Sequence, residues 1–162
     1  AQPTVLVHRD FHSRNLMPQD DGSLAVIDFQ DAVIGPVTYD LVSLLRDCYV
    51  RWQPEQVQAW ALSYLQVLQR HGQLTDVGAN QFMRWFDLMG LQRHIKVLGT
   101  FARLYLRDEK PAYLADLPLV IRYVREMLVK YREDVAELAS FDEWFEGELM
   151  PVILHQPWSA DL

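Results

Sequence analysis

The spacing of apolar residues changes near residue 36, and the change predicts two kinds of structure. Before it, short apolar runs at 4–7 and 24–27 are separated by polar segments, which predicts short β-strands within residues 4–29. The segment 19–23 contains an Asp-Gly pair, which favours a tight reversal of the chain. After Pro36 the apolar residues follow a helical spacing. The pattern therefore predicts an α+β fold that is mainly α.

The helical part divides into several predicted helices. The first covers about 39–50, the second begins at Pro54 and ends at a cap on Gly72, and the third covers about 80–106. Another follows Pro118, and a last short helix stops before Pro151.

Glycines and aromatic residues refine this prediction. Glycine costs about 1 kcal/mol relative to alanine inside a helix, so Gly90 and Gly99 predict a break near the first or close packing at the second. On the third helix, one face with Leu91, Ile95 and Tyr105 is expected to be buried. Aromatic residues at helical spacing are more often core than ligand platform, so we expect these to be buried: Trp60, Tyr64, Phe82, Trp85 and Phe86.

Composition limits the function classes. The chain has 162 residues, half of them hydrophobic, which is enough for one domain with a sizeable core. The net charge of −7 argues against nonspecific binding to nucleic acids or anionic membranes, and is weakly compatible with a cationic substrate. No apolar run approaches the roughly 20 residues that span a bilayer. The single Cys48 cannot form an internal disulfide and fits a core position. We expect a cytoplasmic enzyme.

The segment 8–15 and the strand that follows contain the strongest candidate chemistry. His8, Asp10 and Asn15 match the H-x-D-x-x-x-x-N catalytic loop of phosphoryl-transfer enzymes, and Asp28 follows the next apolar strand. Each residue alone is an ordinary turn former, but the joint pattern favours phosphoryl transfer. His8 and His12 are four apart, a zinc spacing on a helix, but this segment is predicted to be a loop.

The residue types suit this chemistry. Magnesium prefers oxygen ligands and is usually held by one or two carboxylates together with phosphate oxygens, so Asn15 and Asp28 are the predicted metal ligands. Asp10 is the predicted catalytic base that orients the acceptor hydroxyl and takes its proton. His8 is expected to support the loop from behind. The sequence does not identify the substrate-binding residues.

Three pieces of the chain resemble the aminoglycoside phosphotransferase and choline kinase group of small-molecule kinases. They are the loop just described, Ile27-Asp28-Phe29, and Tyr39-Asp40-Leu41. The resemblance implies the C-terminal lobe of a kinase-like fold, in which short strands carry the catalytic loop and a helical bundle follows. It also implies that Asp40 accepts hydrogen bonds from the catalytic-loop backbone. Many antibiotic kinases of this group carry glycine where Arg9 stands.

Longer segments at 8–17, 27–43 and 90–106 resemble bacterial kinases of cell-wall recycling, which phosphorylate the anomeric hydroxyl of N-acetylmuramate or N-acetylglucosamine. The resemblance implies ATP as co-substrate, Mg²⁺ as cofactor and an amino sugar as acceptor. An aminoglycoside kinase is an alternative. About a dozen residues separate Asp28 from Tyr39, too few for the activation segment of a protein kinase.

The resemblance covers only part of the kinase-like fold. The 162 residues contain neither a G-x-G-x-x-G loop nor a V-A-I-K lysine to hold phosphates. We therefore expect residues 1–162 to be a single C-terminal catalytic lobe whose partner is a missing N-terminal nucleotide-binding lobe of the same protein. Alone, the lobe is expected to be inactive, and a non-catalytic binding module is the remaining alternative.

Overall fold

The computed structural model of this protein describes residues 1–160 and residue 162. They form short antiparallel strands followed by helices, so the predicted α+β, mainly α fold class is confirmed. The chain divides into two compact units, Ala1–Gly90 and Leu91–Leu162. The single catalytic lobe stays a prediction. None of the helices formed by the described residues combines the length and apolar character needed to cross a membrane.

Four short strands open the first unit. Strand β1 (Thr4–Val7) pairs antiparallel with β4 (Val33–Pro36), and β2 (Leu16–Pro18) pairs antiparallel with β3 (Leu24–Val26). The predicted turn joins β2 to β3: the Gly22 amide donates to the Gln19 carbonyl at 3.0 Å, and Gly22 has a φ of +81°. A glycine suits this left-handed conformation because it has no Cβ.

Strand β4 lies beyond residues 4–29, the region predicted to contain strands. A Gly-Pro pair usually marks a turn, so Gly35-Pro36 did not indicate a strand. Gly35 is opposite Val5 in the ladder, and a Cβ on it would approach Val7 Cγ2 to 2.7 Å. Val7 is buried, so this position accepts only glycine without displacing the neighbouring side chain. Pro36 stands at the end of the strand, where proline is tolerated.

Three helices complete the first unit: α1 (Tyr39–Leu45), α2 (Pro54–Arg70) and α3 (Ala79–Leu106), which continues into the second unit. Their buried apolar side chains form one core cluster of Val42, Leu45, Val57, Ala61, Leu65, Phe82 and Phe86. Helix α2 begins at Pro54, and Gly72 just beyond it has a φ of +74°, as the predicted start and cap require.

The first helix is shorter than the predicted 39–50. It ends at Leu45, and Arg46 leaves the helical conformation with φ −123° and ψ +51°. The Arg46 guanidinium donates to Asp87 Oδ1 at 2.6 Å, and Asp87 is fully buried. A buried carboxylate needs a charged, hydrogen-bonded partner, which favours this turn over another helical turn.

The expected break in α3 is wrong, because the helix runs unbroken through Gly90. Close packing occurs at Gly90 instead of Gly99: a Cβ on Gly90 would lie 3.2 Å from Arg46 Nη1, whereas one on Gly99 would meet no described atom within 4 Å. Gly90 therefore makes room for the arginine that pairs with Asp87.

The aromatic residues of α2 and α3 divide into three groups by burial. Phe82 and Phe86 are fully buried, as predicted, and Tyr64 and Trp85 are partly buried. Trp60 is 38% exposed, so its prediction as a core residue is wrong. It packs edge to face against Trp52, with ring centroids 5.3 Å apart.

The second unit contains the end of α3, then α4 (Leu117–Tyr131), α5 (Ala136–Trp144), a π-helical turn (Phe145–Leu149) and α6 (Met150–Leu154), with short 3₁₀ turns at Pro111–Asp116 and Pro157–Ser159. The prediction that helical structure stops before Pro151 is wrong. Pro151 lies in the first turn of α6, where its missing amide hydrogen leaves no hydrogen bond unmade.

The buried face of α3 in this unit also differs from the predicted one. Leu91, His94 and Phe101 are buried, whereas Ile95 and Tyr105 are exposed. The His94 ring stacks on Tyr123, with centroids 4.6 Å apart and planes 7° from parallel. A buried histidine therefore belongs to the core of this unit beside the apolar side chains.

Candidate active site

The predicted catalytic loop follows β1 and closes on itself through Asp10. The Asp10 backbone carbonyl accepts hydrogen bonds from the His12 amide at 3.1 Å and from Asn15 Nδ2 at 2.9 Å. Residues Ser13–Asn15 form a 3₁₀ turn, which leads directly into β2. The Asn15 side chain thus fixes the backbone of Asp10 through its nitrogen, and its amide oxygen remains a potential metal ligand.

Asp28 lies beside this loop because of two hydrogen bonds to its neighbour Ile27. The Ile27 amide donates to the Asn15 carbonyl at 3.1 Å, and His8 Nε2 lies 2.9 Å from the Ile27 carbonyl. A carbonyl only accepts, so Nε2 carries the proton of the His8 ring. The structure therefore brings Asp10, Asn15 and Asp28 onto two adjacent, hydrogen-bonded segments.

Asp40, in the first turn of α1, holds the start of the loop. Its Oδ2 accepts the His8 backbone amide at 2.7 Å, and its Oδ1 accepts the Arg9 backbone amide at 3.0 Å. Hydrogen bonds to an ionised carboxylate are roughly twice as strong as neutral ones. Asp40 thus connects α1 to the backbone just before Asp10.

Two residues of this region have left-handed backbone conformations. Arg9 has a φ of +80° and Asp28 a φ of +66°. Such conformations cost a residue with a Cβ roughly 1–2 kcal/mol, and they persist where surrounding contacts hold them. The Arg9 side chain reaches the Asp31 carbonyl, with Nη1 3.4 Å from the oxygen.

The donor set of this region fits a magnesium ion. Asp10 and Asp28 offer carboxylates and Asn15 an amide oxygen, the hard donors that Mg²⁺ prefers. Gln30 Nε2 donates to Asp28 Oδ1 at 2.6 Å, which orients that carboxylate. Over residues 1–160 and 162, no three His, Cys, Asp or Glu side chains are grouped to hold a metal ion. The predicted ligands, Asn15 and Asp28, provide one amide oxygen and one carboxylate, so phosphate oxygens and water would complete a magnesium shell.

The loop also contacts the segment after α1, which sequence reasoning did not connect to the site. Ser13 Oγ donates to Asp47 Oδ2 at 2.8 Å, and Asp47 is buried. The Arg14 guanidinium lies over the Tyr49 ring, 3.4 Å from its centroid, and the His12 ring meets the same tyrosine edge to face. The signal in the sequence was a charged pair, Arg46-Asp47, at the end of an apolar helix.

Two cavities flank this part of the first unit. One of about 430 Å³ is lined by Ser13, Leu41, Leu44, Leu45, Asp47, Val50, Trp52 and Trp60. The other, about 290 Å³, is lined by Phe11, Asp40, Leu41, Leu44 and Tyr64. Burial raises the pKa of the Tyr64 phenol, and the negative charge of Asp40 raises it further. Both cavities lie against the loop through Ser13 or Phe11.

Several known proteins are similar in sequence to this chain. Residues 1–74 match the model of a phosphotransferase enzyme family. The chain is 48% identical over 138 residues to the N-acetylmuramate/N-acetylglucosamine kinase of Pseudomonas putida, a match that covers 85% of this chain and 40% of that protein. It is 47% identical over 133 residues to the kinase of the same name from Neisseria meningitidis, covering 82% of this chain and 40% of that protein.

A more distant relative of the same name, from Caulobacter vibrioides, is 34% identical over 150 residues, covering 90% of this chain and 38% of that protein. The chain thus spans about 40% of the length of the first relatives. The match at residues 1–74 contains the loop, the Asp28 turn and the start of α1, the three pieces that carried the resemblance. The resemblance is therefore confirmed: residues 1–74 match the phosphotransferase enzyme family model, and most of the chain is similar to part of kinases of one name.

Proposed function

We propose that this chain provides the catalytic base and the metal ligands of an ATP- and Mg²⁺-dependent kinase that phosphorylates the anomeric hydroxyl of N-acetylmuramate or N-acetylglucosamine. The observation that carries the proposal is the hydrogen-bonded junction between the segments of Asp10, Asn15 and Asp28. The relatives' names support the acceptor. A role for this protein in cell-wall recycling in the cytoplasm, where ATP is available, is part of the same proposal.

In this proposal Asp10 is the base. The acceptor oxygen bonds to the γ-phosphorus, the bond from that phosphorus to the bridging oxygen of ADP breaks, and the hydroxyl proton passes to the Asp10 carboxylate. Asn15 and Asp28 would hold the magnesium ion, which neutralises phosphate charge when it is bound. Positioning provides much of the catalysis in such transfers.

His8 and Asp40 have a supporting role in the proposal. His8 links the loop to the backbone beside Asp28, and Asp40 links the loop to α1. Neither side chain needs to touch the substrate for this. Both restrict the backbone that carries the carboxylates of Asp10 and Asp28.

The phosphates of ATP need further hydrogen-bond donors. The chain contains no glycine-rich phosphate loop and spans about 40% of its first relatives. We therefore include in the proposal a nucleotide-binding lobe of the same protein, N-terminal to these residues in the kinase-like fold, and a C-terminal catalytic lobe made by residues 1–162. The activity of the whole protein belongs to the proposal.

The test uses the complete natural protein that contains this chain. Asp10→Asn should lower turnover of N-acetylmuramate and N-acetylglucosamine roughly a hundred- to ten-thousand-fold, the usual contribution of a general base. Release of ADP gives the rate, and phosphorus NMR identifies phosphate on the anomeric oxygen. Asp20→Asn, which removes the same charge at an exposed site, is the matched control.

Three results would contradict the proposal. Near-normal turnover of Asp10→Asn would show that Asp10 is not the catalytic base. Phosphorylation of kanamycin-type compounds in preference to the N-acetylated sugars would favour an aminoglycoside kinase. Absence of phosphorylation with both classes, in a folded protein supplied with ATP and Mg²⁺, would favour a non-catalytic binding module.

A further inference from the structure

The larger cavity beside the loop has the dimensions of a small-molecule site. Its volume of about 430 Å³ lies within the range of ligand pockets, and most of its eight lining residues are apolar or aromatic. Such pockets typically add a few polar groups that orient the ligand. Here those groups are Ser13, from the 3₁₀ turn of the loop, and Asp47, from the segment after α1.

Asp47 is the charged group in the wall of this cavity. It is only 4% exposed, and its Oδ2 accepts the Ser13 hydroxyl at 2.8 Å. Its Oδ1 lies 3.4 Å from the Tyr49 amide nitrogen, at the long end of a hydrogen bond. A carboxylate offers about four acceptor positions, so these two contacts leave capacity for donors on a ligand. A ligand with N–H or O–H groups can use this remaining acceptor capacity.

The rest of the cavity lining is apolar and includes two tryptophans. Trp52 and Trp60 meet edge to face in the cavity wall and remain 44% and 38% exposed. Exposed indole surface in a concave site suits a flat, weakly polar partner. The C–H face of a pyranose ring is such a partner, and the methyl of an acetamido group suits contact with Leu44 and Val50.

The cavity is also connected to the proposed catalytic base. Ser13 follows Asp10 by three positions, and the loop between them is closed by the hydrogen bond from the His12 amide to the Asp10 carbonyl. A ligand that touches Ser13 is therefore in contact with the turn that carries Asp10. An acceptor site of the proposed kinase has to adjoin this loop.

We propose that this cavity is the acceptor subsite for an acetamido sugar, an inference that rests on the proposed function. In it, Asp47 accepts a hydrogen bond from the amide N–H or a ring hydroxyl, and Trp60 lies against the pyranose. A neutral acetamido sugar is favoured over a polycationic acceptor because the lining contains a single carboxylate among eight residues.

The test measures steady-state kinetics of the complete natural protein with N-acetylglucosamine, glucosamine and glucose. Trp60→Ala should raise the KM for N-acetylglucosamine about three- to tenfold, as loss of an aromatic contact implies, with the KM for ATP unchanged. Trp60→Phe, which keeps an aromatic face, should recover most of the loss. Trp144→Ala, a change at an exposed tryptophan in the second unit, is the control.

Asp47→Asn tests the polar contact separately. An asparagine can still accept the Ser13 hydroxyl, so the loop contact is kept while the charge is lost. We expect the KM for N-acetylglucosamine to rise about tenfold, the value of a charge-assisted hydrogen bond. The preference for N-acetylglucosamine over glucose should fall by a similar factor.

The outcomes separate this inference from the proposed function. If Asp10→Asn is inactive while Trp60→Ala and Asp47→Asn keep the KM for N-acetylglucosamine within twofold, the subsite is wrong and the kinase assignment survives. If the wild-type protein phosphorylates none of these sugars, the proposed function fails. A preference for glucosamine over its N-acetyl form would overturn the neutral-sugar assignment.

A measurement without substitution covers the case in which a variant does not fold. N-acetylglucosamine should slow amide hydrogen exchange in residues 47–60 of the wild-type protein, since these residues contain Asp47, Val50, Trp52 and Trp60 of the cavity wall. Unchanged exchange there at saturating sugar would overturn the proposal.

Discussion

Asp40 offers the sharpest test of how the catalytic loop is held. Its two carboxylate oxygens accept the backbone amides of His8 and Arg9 at 2.7 and 3.0 Å. The substitution Asp40→Asn keeps the size of the side chain but replaces one oxygen with an NH₂ group. That group would face a backbone N–H, so one hydrogen bond is lost and one donor is left without its acceptor.

The magnitude follows from these two contacts. A hydrogen bond to a charged group contributes about 1.5–3 kcal/mol, and a partly buried donor without an acceptor adds to the loss. Arg9 has a φ of +80°, a conformation that costs roughly 1–2 kcal/mol and that these bonds hold in place. Relaxation of this backbone offsets part of the loss. We expect Asp40→Asn to lower the free energy of unfolding by about 2 kcal/mol.

Two measurements check the expectation. Urea denaturation of Asp40→Asn, compared with the exposed control Asp20→Asn, gives the difference in unfolding free energy. Amide hydrogen exchange reports the loop directly, and exchange at His8 and Arg9 should accelerate more than exchange in the core of α2. Turnover of the complete natural protein should fall in the same variant, because the loop that carries Asp10 is less restricted.

The reasoning would be refuted by a specific combination. If Asp40→Asn and the control unfold within about 0.5 kcal/mol of each other, the two hydrogen bonds do not hold the loop. Unchanged exchange at His8 and Arg9 would lead to the same conclusion even if stability fell for another reason.

Three further predictions concern the first unit. Gly35→Ala should lower the unfolding free energy by about 1–3 kcal/mol in urea denaturation, because its Cβ would lie 2.7 Å from Val7 Cγ2; equal stability would contradict the close contact. Asp87→Asn should lower the unfolding free energy by about 3–5 kcal/mol in the same assay, because it removes the negative charge that pairs with the Arg46 guanidinium, which is only 12% exposed. Neutralising an exposed aspartate should lower it by less than about 1 kcal/mol. Burial raises the pKa of Tyr64, so the folded state retains the phenol proton above the ordinary pKa of 10.0. The stability that this proton contributes is fully present below pH 10.0 and is lost as pH rises through the pKa of the folded state. Stability between pH 9 and 12 should therefore fall less steeply in Tyr64→Phe than in the wild type.

The predicted catalytic segments could be identified in the sequence because phosphoryl transfer demands particular residue types at fixed spacing. Asp10, Asn15 and Asp28 are identifiable from spacing alone, and the structure brings their segments together through hydrogen bonds. The strands and turn around Gly22 were predictable for a similar reason, since apolar alternation and an Asp-Gly pair are local signals.

The cavity wall was not predictable from local patterns. Whether Asp47 and Trp52 lie in a helix or in the segment after it depends on where α1 ends, and that depends on the bond between Arg46 and Asp87, which are 41 positions apart. A helix prediction over 39–50 distributes these side chains around a helix surface. The long-range ion pair ends the helix earlier, and Asp47 then reaches Ser13.

The same argument applies to the backbone of the catalytic segments. The residue type of Arg9 does not indicate a positive φ, because glycine is the residue that normally signals it, and aspartate adopts one more often than most residues without requiring it at Asp28. The conformation of Arg9 is held by Asp40 on α1, and that of Asp28 follows a residue whose backbone is bound from both sides by Asn15 and His8. A motif match therefore proposes the reactive side chains, while residues outside the motif determine whether the loop can hold them in place. This is why a conservative change at Asp40 should reduce turnover, although its side chain is bound to backbone amides and has no role in the chemical step.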